Sequence, residues 1–287
     1  MAASNMKDVK RRIKSVESTM QITKAMQLVA SSKMRRAKER AEAVQPFFAE
    51  LFKTMCDISK DYAFTSVFTR KKTNGTTLMI VIAGDRGLAG GFNSNVLKTA
   101  VKKADGIIES GNSVKVMAIG KKAVEFFEKR DYELTDKYPQ IAEGLSGDDA
   151  MDIAENIVDR FKHEEFDSVD LVYTTFVSAM TQEPCEIKIL PVENLGEMGG
   201  SHPTTEYDPS PEDVFEGMIP QYICGMVYSA IIDSYASEQA ARRTAMESAS
   251  DNAEEMIDNL SLLYNRARQA QITQEITEIS SASLSDG

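Results

Sequence analysis

The chain has 287 residues, of which 42% are hydrophobic and 27% charged, and its formal net charge is −11. This composition is typical of soluble domains and allows one large or two small ones. No run of 18 apolar residues could form a transmembrane helix, and the first residues lack the apolar segment of a signal or transit peptide. We therefore expect a protein that is soluble inside a cell or attached to a membrane only through partners.

The charge is spread unevenly along the chain. Between Lys7 and Arg40 there are eleven Lys and Arg residues and three acidic ones, so this stretch carries about +8 and the remainder about −19. A solvated helix surface would explain the asymmetry, and so would docking against an acidic partner. Nucleic acid is a less suitable partner, because no aromatic residues alternate with the basic ones and the whole chain is acidic.

Few residues could carry metal or nucleophilic chemistry. The three cysteines, Cys56, Cys185 and Cys224, are far apart in the sequence and suit a reducing compartment better than a disulfide framework. Neither of the two histidines, His163 and His202, stands near a cysteine. We therefore expect no metal site, no cofactor and no histidine-based catalytic triad.

The beginning of the chain predicts one long helix from about Asn5 to Ile58. Apolar or small residues recur there in alternating steps of four and three, the period of a left-handed coiled coil, and only Thr23 and Gln27 in this seam are polar. About 50 helical residues span about 75 Å, and Pro46 should kink the helix without ending it. The predicted seam consists of Val9, Ile13, Val16, Met20, Thr23, Gln27, Ala30, Met34, Ala37, Ala41, Val44, Phe48, Leu51, Met55 and Ile58.

The middle of the chain alternates strands and helices. This pattern predicts a mostly parallel sheet covered on both faces, with a Rossmann-like layout. A polar connector over residues 63–76 precedes it. We predict four strands, at 78–83, 114–119, 170–177 and 186–192, and three helices, at 93–109, 121–129 and 148–163.

A second long helix is predicted at the end of the chain. After a linker at 194–209, Ser210 should cap a helix that has Pro211 at its first position, and Gly217 and Pro220 should break that first piece. Residues 221–280 then read as one helix about 90 Å long. Its predicted seam consists of Ala249, Ala253, Met256, Leu260, Leu263, Ala267 and Ala270, continued by Ile272, Ile276 and Ile279.

The two long helices need partners for their seams. Each could pair with a second copy of itself, or the two could pair with each other in antiparallel fashion. We favour the second arrangement, because helices of similar length flank one domain. The predicted fold class is therefore α/β: a long antiparallel coiled coil of the N- and C-terminal helices plus a central Rossmann-like domain.

The predicted boundaries follow from these elements. They place an N-terminal coiled-coil helix at 1–62, the α/β domain at 76–194, a linker and short helix at 195–219, and a C-terminal coiled-coil helix at 220–287.

A glycine-rich loop, Gly84–Asn93, follows the first predicted strand and opens a helix. A dinucleotide-binding loop would occupy this position, but the spacing does not fit G-x-G-x-x-G, and no Gly-Lys-Ser/Thr sequence ends it as in a phosphate loop. We favour a tight turn in which the glycines allow close packing and Asp85 and Arg86 pair or cap locally.

The last helix is rich in polar residues near its end. Glu275 and Glu278 could be ligands, although a solvated helix face explains them as well. The stretch from Arg266 to Glu275 carries many hydrogen-bonding groups, which fits either an exposed helix or a helix tip enclosed by polar partners.

Four segments resemble one known family, the ATP synthase gamma subunits. They are residues 22–30 (Ile-Thr-Lys-Ala-Met-Gln-Leu-Val-Ala), 85–93, 237–242 and 264–279. In the second segment Ala89 stands where the family has cysteine. The resemblance covers essentially the whole chain in the right order.

The resemblance implies a rotor that performs no bond chemistry itself. In that family the terminal helices form an asymmetric antiparallel coiled coil inside a hexamer of three alpha and three beta subunits. The α/β domain binds the epsilon subunit and rests on the ring of c subunits, which provides the only membrane contact. One copy serves each complex, and its rotation, driven by ion flow, moves the beta sites through open and closed states.

By motif position, the resemblance also implies contacts with the beta catch loops. Plastid members carry an inserted redox cysteine pair that this chain lacks, so we expect a bacterial protein at the cytoplasmic face of the cell membrane. The implied contact residues are Lys24, Met26, Arg242, Arg268, Gln269, Thr273 and Glu275.

Two other classes of protein compete with a rotor. A Rossmann-type enzyme would bind a nucleotide near Gly84–Gly91. A coiled-coil scaffold or adaptor would form a homodimer through its long helices.

Overall fold

The computed structural model of the chain describes residues 2–61, 66–72, 75–193 and 206–285. Within these ranges, none of the helices combines the length and apolarity needed to span a membrane. The helices are α1 (Ala2–Asp61), α2 (Phe92–Glu109), α3 (Lys121–Phe127), α4 (Gly147–Lys162) and α5 (Pro211–Ser285). The strands are β1 (Thr76–Ile82), β2 (Ser113–Ile119), β3 (Glu133–Tyr138), β4 (Ser168–Phe176) and β5 (Gln182–Leu190).

The chain divides into two compact units. The coiled-coil unit combines Met1–Ala30 with Arg243–Gly287, and the α/β unit is Ser31–Arg242. The sequence-based boundaries instead follow individual helices, and they stay a prediction. The linker predicted at 194–209 lies largely outside the described residues.

Helix α1 matches its prediction closely. Every residue of the predicted seam is buried or half-buried, and the residues between them are mostly exposed. The helix continues through Pro46, as expected, because proline removes only one backbone donor. The 4-3 period of this segment therefore identifies its buried face correctly.

Helix α5 begins as predicted but does not break. The Ser210 hydroxyl accepts a hydrogen bond from the Asp213 backbone N–H at 3.1 Å and donates one to the Asp213 carboxylate at 2.8 Å, which is an N-cap. The break expected at Gly217 and Pro220 is wrong, since one helix runs from Pro211 to Ser285. Core packing of neighbours such as the fully buried Ile219 offsets the hydrogen bond that proline removes.

The predicted seam of α5 is only half correct. Ala253 and Leu260 are buried, whereas Met256 and Leu263 are 44% and 52% exposed. The predicted and the observed seams are both 4-3 series, and they share Ala253, Leu260 and Ala267. Their other members differ by one position, so the period alone does not identify the buried series. Ala270, Ile272 and Ile276 are also exposed, and the Ile279 side chain lies outside the described residues. The buried and half-buried seam consists of Met246, Ser250, Ala253, Ile257, Leu260, Tyr264 and Ala267.

The sheet has five strands in the order β3-β2-β1-β4-β5. All neighbours are parallel except β4 and β5, which pair antiparallel. This confirms the mostly parallel sheet, but the prediction of four strands is wrong because β3 was not expected. Its sequence, ELTDKY, lies at the edge of the sheet and lacks the apolar run of a central strand.

Helices cover both faces of the sheet. One face packs on α4 and on the Ser31–Arg242 portions of α1 and α5, and the other packs on α2 and α3. In this unit Phe52 of α1 stacks on Tyr222 of α5 with ring centroids 5.8 Å apart. Four residues earlier in α1, Phe48 lies against Gly225. Residue numbers rise along one helix as they fall along the other, so the predicted antiparallel pairing is confirmed.

Candidate functional site

The glycine loop (Gly84–Asn93) lies at the carboxyl end of β1. From β1 the chain adds β2 and β3 on one side of the sheet and then β4 and β5 on the other. Open parallel sheets bind ligands at such a point, where the strand order reverses. Leu88 and Gly90 have positive φ angles of 61° and 55°, and the Phe92 N–H donates to the Ala89 carbonyl at 3.1 Å. The tight turn predicted for this loop is therefore confirmed.

Asp85 caps backbone, but at residues distant in the sequence and not locally as predicted. Its Oδ1 accepts hydrogen bonds from the backbone N–H groups of Lys121 at 2.9 Å and Gln140 at 2.8 Å. Lys121 is the first residue of α3, where helix N–H groups lack intrahelical partners. Asp85 thus ties the glycine loop to the start of α3 and to the segment after β3.

Helix α5 closes the loop from the other side with a buried ion pair. Arg242 donates to the Glu238 carboxylate at 2.5 Å and to the Gly87 carbonyl at 3.2 Å. The Arg86 backbone lowers the pKa of Glu238, in the opposite direction to burial. Glu238 is 3% exposed and Arg242 is 7% exposed. Each buried charge is therefore compensated by the other.

The electrostatic surroundings of this pair include a second carboxylate. Burial raises the pKa of Glu238, and the positive charge of Arg242 opposes that shift. The Glu143 carboxylate accepts a hydrogen bond from Lys33 Nζ at 2.7 Å. That bond lowers the pKa of Glu143, with further contributions from the charges of Arg86 and Arg242.

The inner side of the glycine loop is occupied by the chain itself. A Cβ placed on Gly84 would lie 2.7 Å from Cδ of Glu238, which leaves no space for a ligand between the loop and α5. Among the described residues, no group of three His, Cys, Asp or Glu side chains could hold a metal ion. The arrangement can anchor a helix to a sheet.

The structure places the predicted contact residues in two kinds of surroundings. In the coiled-coil unit, Lys24, Arg268 and Gln269 are exposed and Met26 is half-buried. Arg242 is buried in the α/β unit, and its role as a partner contact stays a prediction.

Two further predicted contacts are also exposed on the coiled-coil unit. The Thr273 hydroxyl donates to the Gln269 carbonyl at 2.9 Å, and the Glu275 carboxylate accepts from Gln271 at 2.8 Å. The side chain of Glu278, also considered as a ligand, lies outside the described residues.

The sequence did not indicate several residues of these sites. Glu238 and Asn93 were not singled out, although the spacing of Glu238 and Arg242 by four on a helix is the signal of an ion pair. The exposed apolar side chains of the coiled-coil unit were either assigned to the seam or passed over. They are Ile22, Leu28, Val29, Met256, Leu262, Leu263, Ile272 and Ile276.

Comparison with known proteins agrees with the resemblance. A family model described as ATP synthase matches residues 5–284. The ATP synthase gamma chain of Ruminococcus albus is 73% identical over 283 residues, covering 99% of both chains. The chain belongs to the ATP synthase gamma chain family. The gamma chain of Alkaliphilus metalliredigens is 46% identical and covers 96% of each chain.

A solved structure supports the same membership. The central stalk and c-ring structure of the mitochondrial ATP synthase of Tetrahymena thermophila contains a chain with a TM-score of 0.61 and 27% identity, which covers 80% of this chain and 99% of that one. In this gamma-family chain, Ala89 is 2% exposed. The residue that replaces the usual cysteine is thus a small buried side chain.

Proposed function

We propose that this chain is the central shaft of a bacterial ATP synthase, turning inside the catalytic hexamer and coupling ion flow to ATP synthesis or hydrolysis. The antiparallel pairing of α1 with α5 carries the proposal. A shaft that transmits torque must be stiff, and two helices packed along a shared seam resist bending better than one. Family membership and the likeness to a central stalk support the same role.

The partners follow from the family. The shaft serves as one copy per complex, inside three alpha and three beta subunits, and its α/β unit binds the epsilon subunit and rests on the c ring. The exposed large apolar side chains of the coiled-coil unit support a partner surface on that unit. The exposed side chains of Lys24, Arg268 and Gln269 are available to polar loops of beta.

The shaft itself is non-catalytic in this proposal. The position where a Rossmann-type enzyme would bind its nucleotide is filled by Glu238, so the geometry does not favour that rival function. The beta subunits then carry out the bond chemistry, and rotation of this chain changes the conformation of their sites. It lies at the cytoplasmic face of the cell membrane as a peripheral subunit, and its membrane contact runs only through the c ring.

Coupling in membrane vesicles that contain the whole complex tests the proposal. We expect Arg268→Ala with Gln269→Ala to lower ATP synthesis driven by an imposed ion gradient severalfold while subunit content stays normal. The matched control is Asn95→Ala with Lys98→Ala, a similar exposed pair on α2, which should leave synthesis unchanged. Normal synthesis in the first variant would contradict the contact assignment.

Mass measurement of the purified complex separates a shaft from a scaffold. A shaft gives one copy of this chain beside three alpha and three beta subunits. A coiled-coil scaffold or adaptor would instead give a homodimer free of those subunits. The intrachain pairing of α1 with α5 favours the first result, because it satisfies the seams without a second copy.

A further inference from the structure

The ion pair of α5 and the side chain of Asn93, at the end of the loop, both approach the backbone of the glycine loop at Gly84. Asn93 Oδ1 accepts from the Gly84 N–H at 2.8 Å, and its Nδ2 donates to the Arg86 carbonyl at 3.2 Å. Arg242 donates to the Gly87 carbonyl and to the Glu238 carboxylate, and Glu238 packs against Gly84. We call these three side chains (Asn93, Glu238 and Arg242) the loop clamp.

The clamp binds main chain, which gives it a definite mechanical effect. The loop continues directly from β1, the central strand of the sheet, and Asp85 links it to Lys121 at the start of α3. Force on the sheet therefore reaches α5 through hydrogen bonds to the loop backbone as well as through apolar packing. Burial strengthens the bond between Arg242 and Glu238, because a low local dielectric screens it less than water does.

We propose that Arg242 and Glu238 are positioning residues that clamp the glycine loop to α5, so that rotation of the α/β unit is passed to the long helix without slip. This inference rests on the proposed shaft function. It gives Arg242 a role inside the chain, whereas the family resemblance implied a contact with a beta loop. The distinction rests on the buried guanidinium of Arg242 and on its acceptors, which all lie within the chain.

A comparison of two variants tests the clamp in the whole ATP synthase. Arg242→Ala removes the α5 side, and Asn93→Ala loosens the same loop while leaving the ion pair intact. The first readout is hydrogen exchange of the amides from Arg86 to Asn93, and the second is ATP synthesised per ion translocated. Arg243→Ala is the control for exchange, because Arg243 lies next in sequence but pairs with Glu247.

We expect both variants to speed exchange of the loop amides about tenfold or more, and to lower coupling severalfold at normal subunit content. The double variant should lose no more coupling than the worse single one, since both act on one loop. If Arg242→Ala prevents assembly, Asn93→Ala alone tests the proposal. Its loop amides must exchange faster than in the wild type, and its ATP synthesis per ion must fall.

Two results would overturn the inference. One is reduced coupling in Arg242→Ala with loop exchange as in the wild type, which would mean that Arg242 acts on a partner. The other is fast loop exchange in both variants with normal coupling. Failure of the shaft function itself would appear elsewhere, as absence of the wild-type chain from the alpha-beta hexamer.

Discussion

Thr23 of α1 and Ser250 of α5, 227 positions apart in the chain, share a hydrogen bond of 2.7 Å between their hydroxyl oxygens. Both residues lie in the seam and are nearly buried. Each hydroxyl also lies within hydrogen-bond distance of a carbonyl in its own helix, that of Met20 or Met246. The polar residue in the α1 seam thus pairs with a polar residue at the facing position of α5. Buried polar pairs of this kind set the register of coiled coils.

Removing either hydroxyl should weaken the coiled-coil unit. Thr23→Val or Ser250→Ala alone should each cost about 1 kcal/mol of unfolding free energy, because a buried hydroxyl loses a partner. The double variant should cost clearly less than the two losses added together. Denaturant unfolding in a double-mutant cycle measures the coupling, and strictly additive losses would show that the two hydroxyls do not interact.

Gly84 should tolerate no side chain. In Gly84→Ala the new Cβ would approach Glu238 to 2.7 Å in a buried setting, and overpacking of this kind typically costs about 1–3 kcal/mol. Gly87 in the same loop is the matched control, since a Cβ there meets no heavy atom within 4 Å. Thermal unfolding of the two variants should separate them, and equal melting temperatures would contradict the tight fit.

Two glycines of α5 should respond in opposite directions to alanine. A Cβ at Gly225 would lie 2.3 Å from Cδ1 of Phe48, so Gly225→Ala should destabilise the α/β unit by about 1–3 kcal/mol. Gly217 is exposed with open space around it, so Gly217→Ala should stabilise the helix by up to about 1 kcal/mol. Denaturant midpoints measure both changes, and a stabilising Gly225→Ala would refute the predicted clash.

Stability at alkaline pH should depend on Tyr222. Burial raises the pKa of Tyr222 from 10.0 to about 12, so the folded state holds its phenol proton more tightly than the unfolded state. The resulting stability is complete below pH 10 and is lost as the pH rises from 10 towards 12, a loss of about 1 kcal/mol by pH 11.

Tyr222→Phe provides the measurement. It keeps the ring that stacks on Phe52 and removes the titrating group, so its unfolding free energy should fall less between pH 8 and pH 11 than that of the wild type. Identical pH dependence in the two proteins would contradict the raised pKa.

The sequence predicted the buried face of α1 correctly and that of α5 only in part, for a physical reason. In α1 the residues one position away from the seam are mostly charged or polar, so only one 4-3 series is apolar. In α5, Met256 and Leu263 are apolar while the buried series contains Ser250, so hydrophobicity favoured the wrong phase. The choice depended on Thr23, a partner from the other end of the chain, which periodicity does not reveal.

The glycine loop shows the same limit at the candidate site. Its position after β1 and its tight turn follow from local sequence, whereas Asp85 caps Lys121 and Gln140, which lie 36 and 55 positions later. The occupant of its inner side does not follow, since Glu238 comes about 150 positions later in the chain. Strand β3 was missed for another reason: as an edge strand it needs few apolar residues.

The antiparallel pairing of the chain ends has a consequence for protein synthesis. Ribosomes add roughly 5–20 residues per second, so the 227 positions between Thr23 and Ser250 take about 10 to 50 s to translate. For that time the newly made α1 seam has no helix to cover it. The Lys and Arg residues between positions 7 and 40 give that uncovered segment a net positive charge, and net charge of one sign favours solubility over association.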